Sequence, residues 1–213
     1  MPYADLSQPI RSGMPVFPGD PPVSVSPHAT VEADGYRVSS VDCGSHTGTH
    51  VDAPSHTEAD GRTVDDFAVS RFAWDAVLVD LRDRDPRGRI RPADLPAVEA
   101  DVVVLRTGWD AHWGDPRYFE HPFLTPDAAR HCVEHGYDVA IDALNVDPTP
   151  TDAAAADEPE GFQAHHELLG NDCLVVENLA NLAGLPDRFE LLAMPLQLAG
   201  GDGAPVRAVA RYD

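Results

Sequence analysis

The sequence predicts an α/β domain over residues 1–213, and three observations carry that reading. Short apolar runs rich in β-branched residues, Asp75–Leu81 (DAVLVDL), Asp101–Arg106 (DVVVLR) and Cys173–Val176 (CLVV), have the length and composition of buried strands. Thr125–Gly136 carries helix signals at both ends: Thr125 suits an N-cap, Pro126 the first helical position and Gly136 the terminus. Strand-like and helix-like segments alternate, the pattern of a mixed α/β domain.

In chain order, Tyr3–Leu6 is the first short strand, and Pro9–Pro22, dense in Pro and Gly, is an ordered loop. Val38–Cys43 is strand-like. The runs at Asp75–Leu81 and Asp101–Arg106 follow, with Arg91-Pro-Ala-Asp-Leu-Pro between them able to start only a short helix. The helix at Thr125–Gly136 leads into a strand at Tyr137–Ala143. Asp152–Gly161 is acidic and poor in large apolar groups, so it is read as a mobile surface loop; a cover over a nearby site is the alternative. Phe162–Leu169 is helical and Cys173–Val176 a buried strand. Glu190–Ala193 and Val206–Arg211 are the last two strands, joined through a turn at Gly200–Gly203.

Formal net charge is -21, from 36 acidic and 15 basic residues, and every basic residue is arginine. Such a field repels phosphate, which excludes a nucleic-acid surface. Salt adaptation is the favoured reading of the acidity, with an arginine-biased genome as the alternative. No apolar run approaches the ~18 residues of a membrane-spanning helix, and MPYADLSQPI is no export signal, so a cytoplasmic location is expected. Cys43, Cys132 and Cys173 are widely spaced and odd in number, as free thiols in a reducing compartment are.

Chemistry concentrates in Cys43–His56, where His46, His50, Asp52 and His56 fall within eleven residues. Imidazole and carboxylate are the common ligands of divalent metals. Fully extended, the chain would hold His46 and His50 ~13 Å apart, too far for one ion, so it must curl. Gly44, Gly48 and Pro54 are the residue types that permit this. Spacing alone leaves a metal site and a polar structural loop both open.

The whole pattern, His-x-Gly-Thr-His-x-Asp-x-Pro-x-His over 46–56, resembles the signature of the cyclase family of metal-dependent hydrolases. A second block, His165-His-Glu-Leu-Leu-Gly through Glu177-Asn-Leu, resembles that family's second ligand block, with His166 as the alternative should the register slip by one. Pro15–Pro22, Arg106–Asp110, Tyr118–Phe123 and Gly201–Arg207 are also family-like, so the resemblance spans essentially the chain. It implies a single domain with a mixed β-sheet core and flanking helices. It also implies metal ligands His46, His50, Asp52, His165 and Glu177, and His56 as general base and acid. The implied cofactor is Zn or Mn, one ion or two; the two oxygens of Asp52 suit a bridge. A homodimer or homotetramer is implied as well.

The expected activity is a metal-activated attack of water on a small aryl formamide, first of all N-formylkynurenine, giving kynurenine and formate. An isatin-like lactam is the nearest alternative, and a metal-binding non-enzyme the alternative of another class. Phe17 and Trp109 are candidate walls for an aromatic substrate, with core packing equally open to them. His131 and His135 are placed on a helix surface, and His28, His112 and His121 in loops.

Overall fold

The structure, a computed structural model, describes residues 1–213. Its strands are β1 (Tyr3–Asp5), β2 (Ser24–Ala29), β3 (Val38–Asp42), β4 (His50–Asp52), β5 (Ala73–Asp80), β6 (Arg89–Ile90), β7 (Val102–Arg106), β8 (Phe123–Leu124), β9 (Asp138–Ile141), β10 (Val175–Glu177), β11 (Arg188–Leu192), β12 (Gly203–Pro205) and β13 (Val209–Arg211). Its helices are α1 (Val31–Asp34), α2 (Pro126–His135) and α3 (Gln163–Leu169). Nine strands form one mixed sheet in the order β1-β13-β11-β5-β7-β9-β10-β4-β12. The centre, β5-β7-β9-β10, is parallel; both flanks are antiparallel.

Of the central strands, β7, β9 and β10 are buried on both faces, which is why they hold nearly continuous apolar runs, while β5 is partly covered. In β7, Val103 and Leu105 face a cluster that includes the α2 residues Ala128 and Cys132, while Val102 and Val104 face a second cluster with Trp74, Val176 and Leu191. Burying each such side chain stabilises the fold by about 1.5–3 kcal/mol. The α2 ends follow the sequence signals: Thr125 accepts from the Ala128 N–H, and Gly136 closes the helix at φ 72°. No helix is long and apolar enough to cross a membrane.

The sheet curls, and the chain beyond its edge strand β1 is tied back to the chain beyond β10. Residues just beyond β1 meet residues just beyond β10: Ser7 bridges Leu179, and the Ala180 N–H donates to the Leu6 carbonyl. The segment read as one strand, Val206–Arg211, is corrected here. Val206 bridges Pro195 and pairing then breaks at Arg207–Ala208, so that β12 joins β4 at one edge while β13 sits between β1 and β11 near the other. Val206 donates to Thr49 and Ala208 accepts from Leu6, which carries the chain across the seam.

Two further differences have physical causes. The β2–β3 hairpin was legible only at β3, because β2 holds Pro27 and buries only Ala29, so it lacks an alternating apolar pattern. The acidic segment Asp152–Gly161 is not a free loop. Arg87 pairs with Glu158, both side chains less than a tenth exposed, and Arg89 donates to the Asp157 carbonyl. A composition-based reading counts the charge but cannot see its partner.

Candidate active site

Three chain segments converge at the carboxyl end of the parallel strands, where an open α/β sheet offers its crevice. β4 pairs antiparallel with β10, and the register sets His50 opposite Glu177. On the other side of β4, Gly203 of β12 lies opposite Asp52. α3 brings His165 in from above. Gly48, at φ 63°, turns the chain before β4, so the rings of His46 and His50 stand 5.1 Å apart. Gly203 leaves the space the His46 ring occupies: a Cβ there would come within 2.7 Å of His46 Cε1.

Asp52 is the hub and is fully buried. Its Oδ1 lies 2.7 Å from His46 Nδ1 and 3.1 Å from His50 Nε2, and its Oδ2 lies 3.5 Å from His165 Nε2. Glu177 divides in the same way, with Oε2 3.6 Å from His50 Nε2 and Oε1 3.4 Å from His165 Nε2. The atoms form three overlapping sets, His46–His50–Asp52, Asp52–His165–Glu177 and His46–His56–Asp202, each with donor atoms within 4.8 Å of one another. Each imidazole is held by its other nitrogen. His50 Nδ1 donates to the Gly48 carbonyl at 2.8 Å, His165 Nδ1 to Asp147 at 2.8 Å, and His46 Nε2 to Asp202 at 2.9 Å. Outer partners of this kind orient metal-binding imidazoles.

A divalent cation fits this donor set. Asp52 Oδ2 and His165 Nε2 are sealed from solvent and have no hydrogen-bond partner, which is costly for buried polar atoms unless a cation lies between them. The carboxylates also draw positive charge onto the imidazoles. Burial works against a charged His46, yet Asp202 and Asp52 outweigh it and lift the ring to about 10. Burial likewise opposes charge on His50 and His165, and Asp52 in the first case and Asp147 with Asp52 in the second reverse it. Asp52 is held well below the usual carboxylate range in spite of its burial, by His50, His165 and His46. His56 goes the other way: burial lowers its pKa, so its ring is neutral at neutral pH.

The site opens into a cavity of about 320 Å³, walled by Phe17, Phe162 and Leu144 and lined also by Asp20, Thr57, Asn145 and Asn178. Phe17 and Phe162 stand 5.8 Å apart, ring to ring. His56 reaches this cavity, with its ring 3.9 Å from His46 and its Nδ1 3.6 Å from Asp202.

The structure gathers His46, His50, Asp52, His56, His165, Glu177 and Phe17 in one place. It does not bring Trp109 there. That ring is 4 % exposed, lies in the core beneath α2, and donates its N–H to the Arg117 carbonyl, so the core alternative holds. His166, the alternative to His165, is an exposed residue on Glu58. Cys43 joins none of the donor sets. His28 lies in β2, and His121 is buried against Pro122 and Thr149.

Sequence reasoning assigned no role to Asp147, Asp202, Asn145, Asn178 and Phe162. Asp147 follows the end of β9, where a carboxylate beyond a parallel strand is itself a signal. Asp202 lay inside a stretch read as a turn and as family-like, with no role given to it.

The fold and site define an α/β protein with a buried histidine–carboxylate metal site. The cyclase family model, described as "Putative cyclase", matches residues 4–148. A kynurenine formamidase of Salinibacter ruber is 35% identical over 99% of this chain and 98% of its own length. One of Bacillus cytotoxicus is 32% identical over 98% and 97%. An isatin hydrolase bound to the product analogue thioisatinate superposes with a TM-score of 0.86 at 25% identity, over 98% of this chain and 91% of that one. A potential metal-dependent hydrolase with cyclase activity superposes at 0.78 and 29% identity, over 100% and 99%. The chain belongs to the cyclase family.

Proposed function

We infer that this chain is a metal-dependent amide hydrolase whose substrate is a small aryl formamide, N-formylkynurenine before others. The observation that carries the reading is the sealed, unpartnered pair Asp52 Oδ2 and His165 Nε2, inside a histidine–carboxylate cage that opens onto an aromatic-walled cavity. His46, His50 and Asp52 would hold one ion, and Asp52, His165 and Glu177 a second. Zinc suits the imidazoles and manganese the oxygen-rich second set; zinc is our first choice on affinity. When bound, the metal supplies Lewis acidity toward the carbonyl oxygen and toward water, whose pKa it lowers toward about 7.

The remaining chemistry belongs to the side chains. His56, neutral and in the cavity, takes a proton from the attacking water as its oxygen adds to the formyl carbon. The C–N bond then breaks, the same imidazole returns the proton to the leaving amine, and formate and an arylamine depart. Asp202 faces His56 Nδ1 and steadies the ring as it becomes charged. Phe17 and Phe162 enclose the aryl group.

Isatin-like lactams are the second reading, supported by the superposition on an isatin hydrolase. Asp20 on the cavity wall, with no arginine beside it, favours a substrate that carries an ammonium group, as N-formylkynurenine does. A metal-binding module that is not an enzyme would have no use for His56 in the cavity. We read residues 1–213 as one domain, cytoplasmic and homo-oligomeric; exposed Val31, Tyr36, Val38 and Val41 on and beside the β2–β3 hairpin offer a second copy an apolar face.

Formate release from N-formyl-L-kynurenine by protein loaded with Zn or Mn, beside a chelated control and in molar salt, tests this. Metal-dependent release is the expected result. Folded, metal-loaded protein that releases no formate would reject the kynurenine assignment and move the lactams first.

A further inference from the structure

Asn178 follows the ligand Glu177 where β10 ends, and it lines the cavity while only 2 % exposed. Its backbone sits in the left-handed region at φ 58°, which asparagine tolerates better than most residues. Every polar group of this residue but one has a protein partner. Its N–H donates to the Ala143 carbonyl at 2.9 Å, and its own carbonyl accepts from Thr49 Oγ1 at 2.7 Å. Its side-chain Oδ1 accepts from the Tyr118 hydroxyl at 2.8 Å. An asparagine amide has one acceptor end and one donor end, so with Oδ1 taken by Tyr118 the NH2 is the end left for the cavity. Tyr118 is fully buried, and burial keeps its hydroxyl protonated and therefore a donor.

We propose that Asn178 is a catalytic hydrogen-bond donor to the carbonyl oxygen of the scissile amide, and that Tyr118 is the positioning residue that fixes which end of its amide faces the substrate. This rests on the amide-hydrolase reading above. As water adds, the carbonyl π electrons move onto oxygen, and a donor fixed in advance stabilises that charge without reorganising. Asparagine suits the task because it brings a donor to a site already crowded with titratable groups and adds no charge of its own.

The test uses metal-loaded full-length protein, formanilide as the hydrolysed substrate, and oxindole, an aryl lactam carbonyl, as a ligand read by calorimetry. Asn178→Asp keeps the shape and tolerates the backbone but cannot donate; kcat should fall about 100-fold, the scale of losing one such donor. Tyr118→Phe leaves Asn178 in place but releases its amide; kcat should fall about tenfold, with KM changed by less than threefold, a split that a merely structural loss would not produce. Oxindole affinity should weaken about tenfold in Asn178→Asp. Metal content and melting temperature of each variant verify that the site is intact. Variants within twofold of wild type in kcat and in oxindole affinity would overturn the proposal. If wild-type protein fails to hydrolyse formanilide, the aryl-formamide reading fails, and the oxindole affinities alone decide whether Asn178 donates to a bound carbonyl.

Discussion

The two sides of the site differ in how far water reaches them. On the α3 side, the side chains of His165, Asp147 and Glu177 are 1%, 2% and 5% exposed. On the β12 side, His46, His56 and Asp202 are 15%, 30% and 45% exposed. Both sides use a histidine backed by an aspartate, yet the surroundings give the pairs different work. In the closed side little screening weakens the pairing, and a lost partner leaves a charge stranded, so it suits holding an ion. On the open side His46 still belongs to a metal-binding set, while His56 meets substrate and solvent and suits moving protons. Asp52, common to the His46–His50 set and the His165–Glu177 set, lies between them.

The largest effect should come from breaking the closed side. Glu177→Gln keeps the shape but removes a charge that belongs to the Asp52–His165–Glu177 set and lies 3.6 Å from His50 Nε2. Metal content should fall, and kcat/KM with it by about 10³-fold; retained metal with near-normal turnover would mean Glu177 is only a neighbour of the ion.

Next is the backing of that side. Asp147 accepts from His165 Nδ1 and also from the backbone N–H groups of Ala164 and His165, which fixes the start of α3 over the site. Asp147→Asn should weaken metal affinity by about 10–100-fold, the usual cost of losing an outer partner. Competition with a chelator reads it directly, and unchanged affinity would reduce Asp147 to a fold residue.

Asp202 is the open-side counterpart, and the contrast predicts a smaller loss. Asp202→Asn should lower kcat/KM by about tenfold at low salt, with the gap narrowing as salt rises, because a half-exposed charge is screened. An effect as large as that of Asp147→Asn, or one indifferent to salt, would break the comparison.

The smallest effect lies outside both sides and sharpens the assignment of acid sensitivity. Burial pushes the His121 ring down to about 4, against about 6.5 when unfolded. A proton therefore prefers the unfolded chain between these values. The stability associated with a neutral His121 is complete above pH 6.5 and is lost as pH falls toward 4, by about 3 kcal/mol. Denaturant unfolding of His121→Gln beside wild type should show a flatter profile over pH 6.5–4; parallel profiles would assign the acid loss elsewhere.

The closed and open sides also differed in how readable they were. The central strands and α2 were legible because local signals decide them: Val102–Leu105 is apolar on both faces, and Thr125 and Gly136 mark the helix ends. His46, His50, Asp52 and His56 stood out as a cluster because they are close in sequence, but spacing alone left a polar loop open and their roles came from the resemblance. His165 and Glu177 came from resemblance, since nothing in their spacing points to residues far upstream. Asp147 and Asp202 went unassigned because an outer partner is defined by the nitrogen it meets, which depends on how β9, α3 and β12 come together. The split of Val206–Arg211 was illegible for a similar reason: it follows from the sheet closing on itself, and no local pattern records closure.

The division between holding and reacting is tested most directly by measuring metal content and kcat together on His56→Ala. The account predicts wild-type metal content with kcat lowered by about 10²–10⁴-fold, the range for losing a general base and acid. Turnover at the wild-type rate, or loss of the metal along with it, would contradict the assignment of His56 to proton transfer and the separation of the two sides.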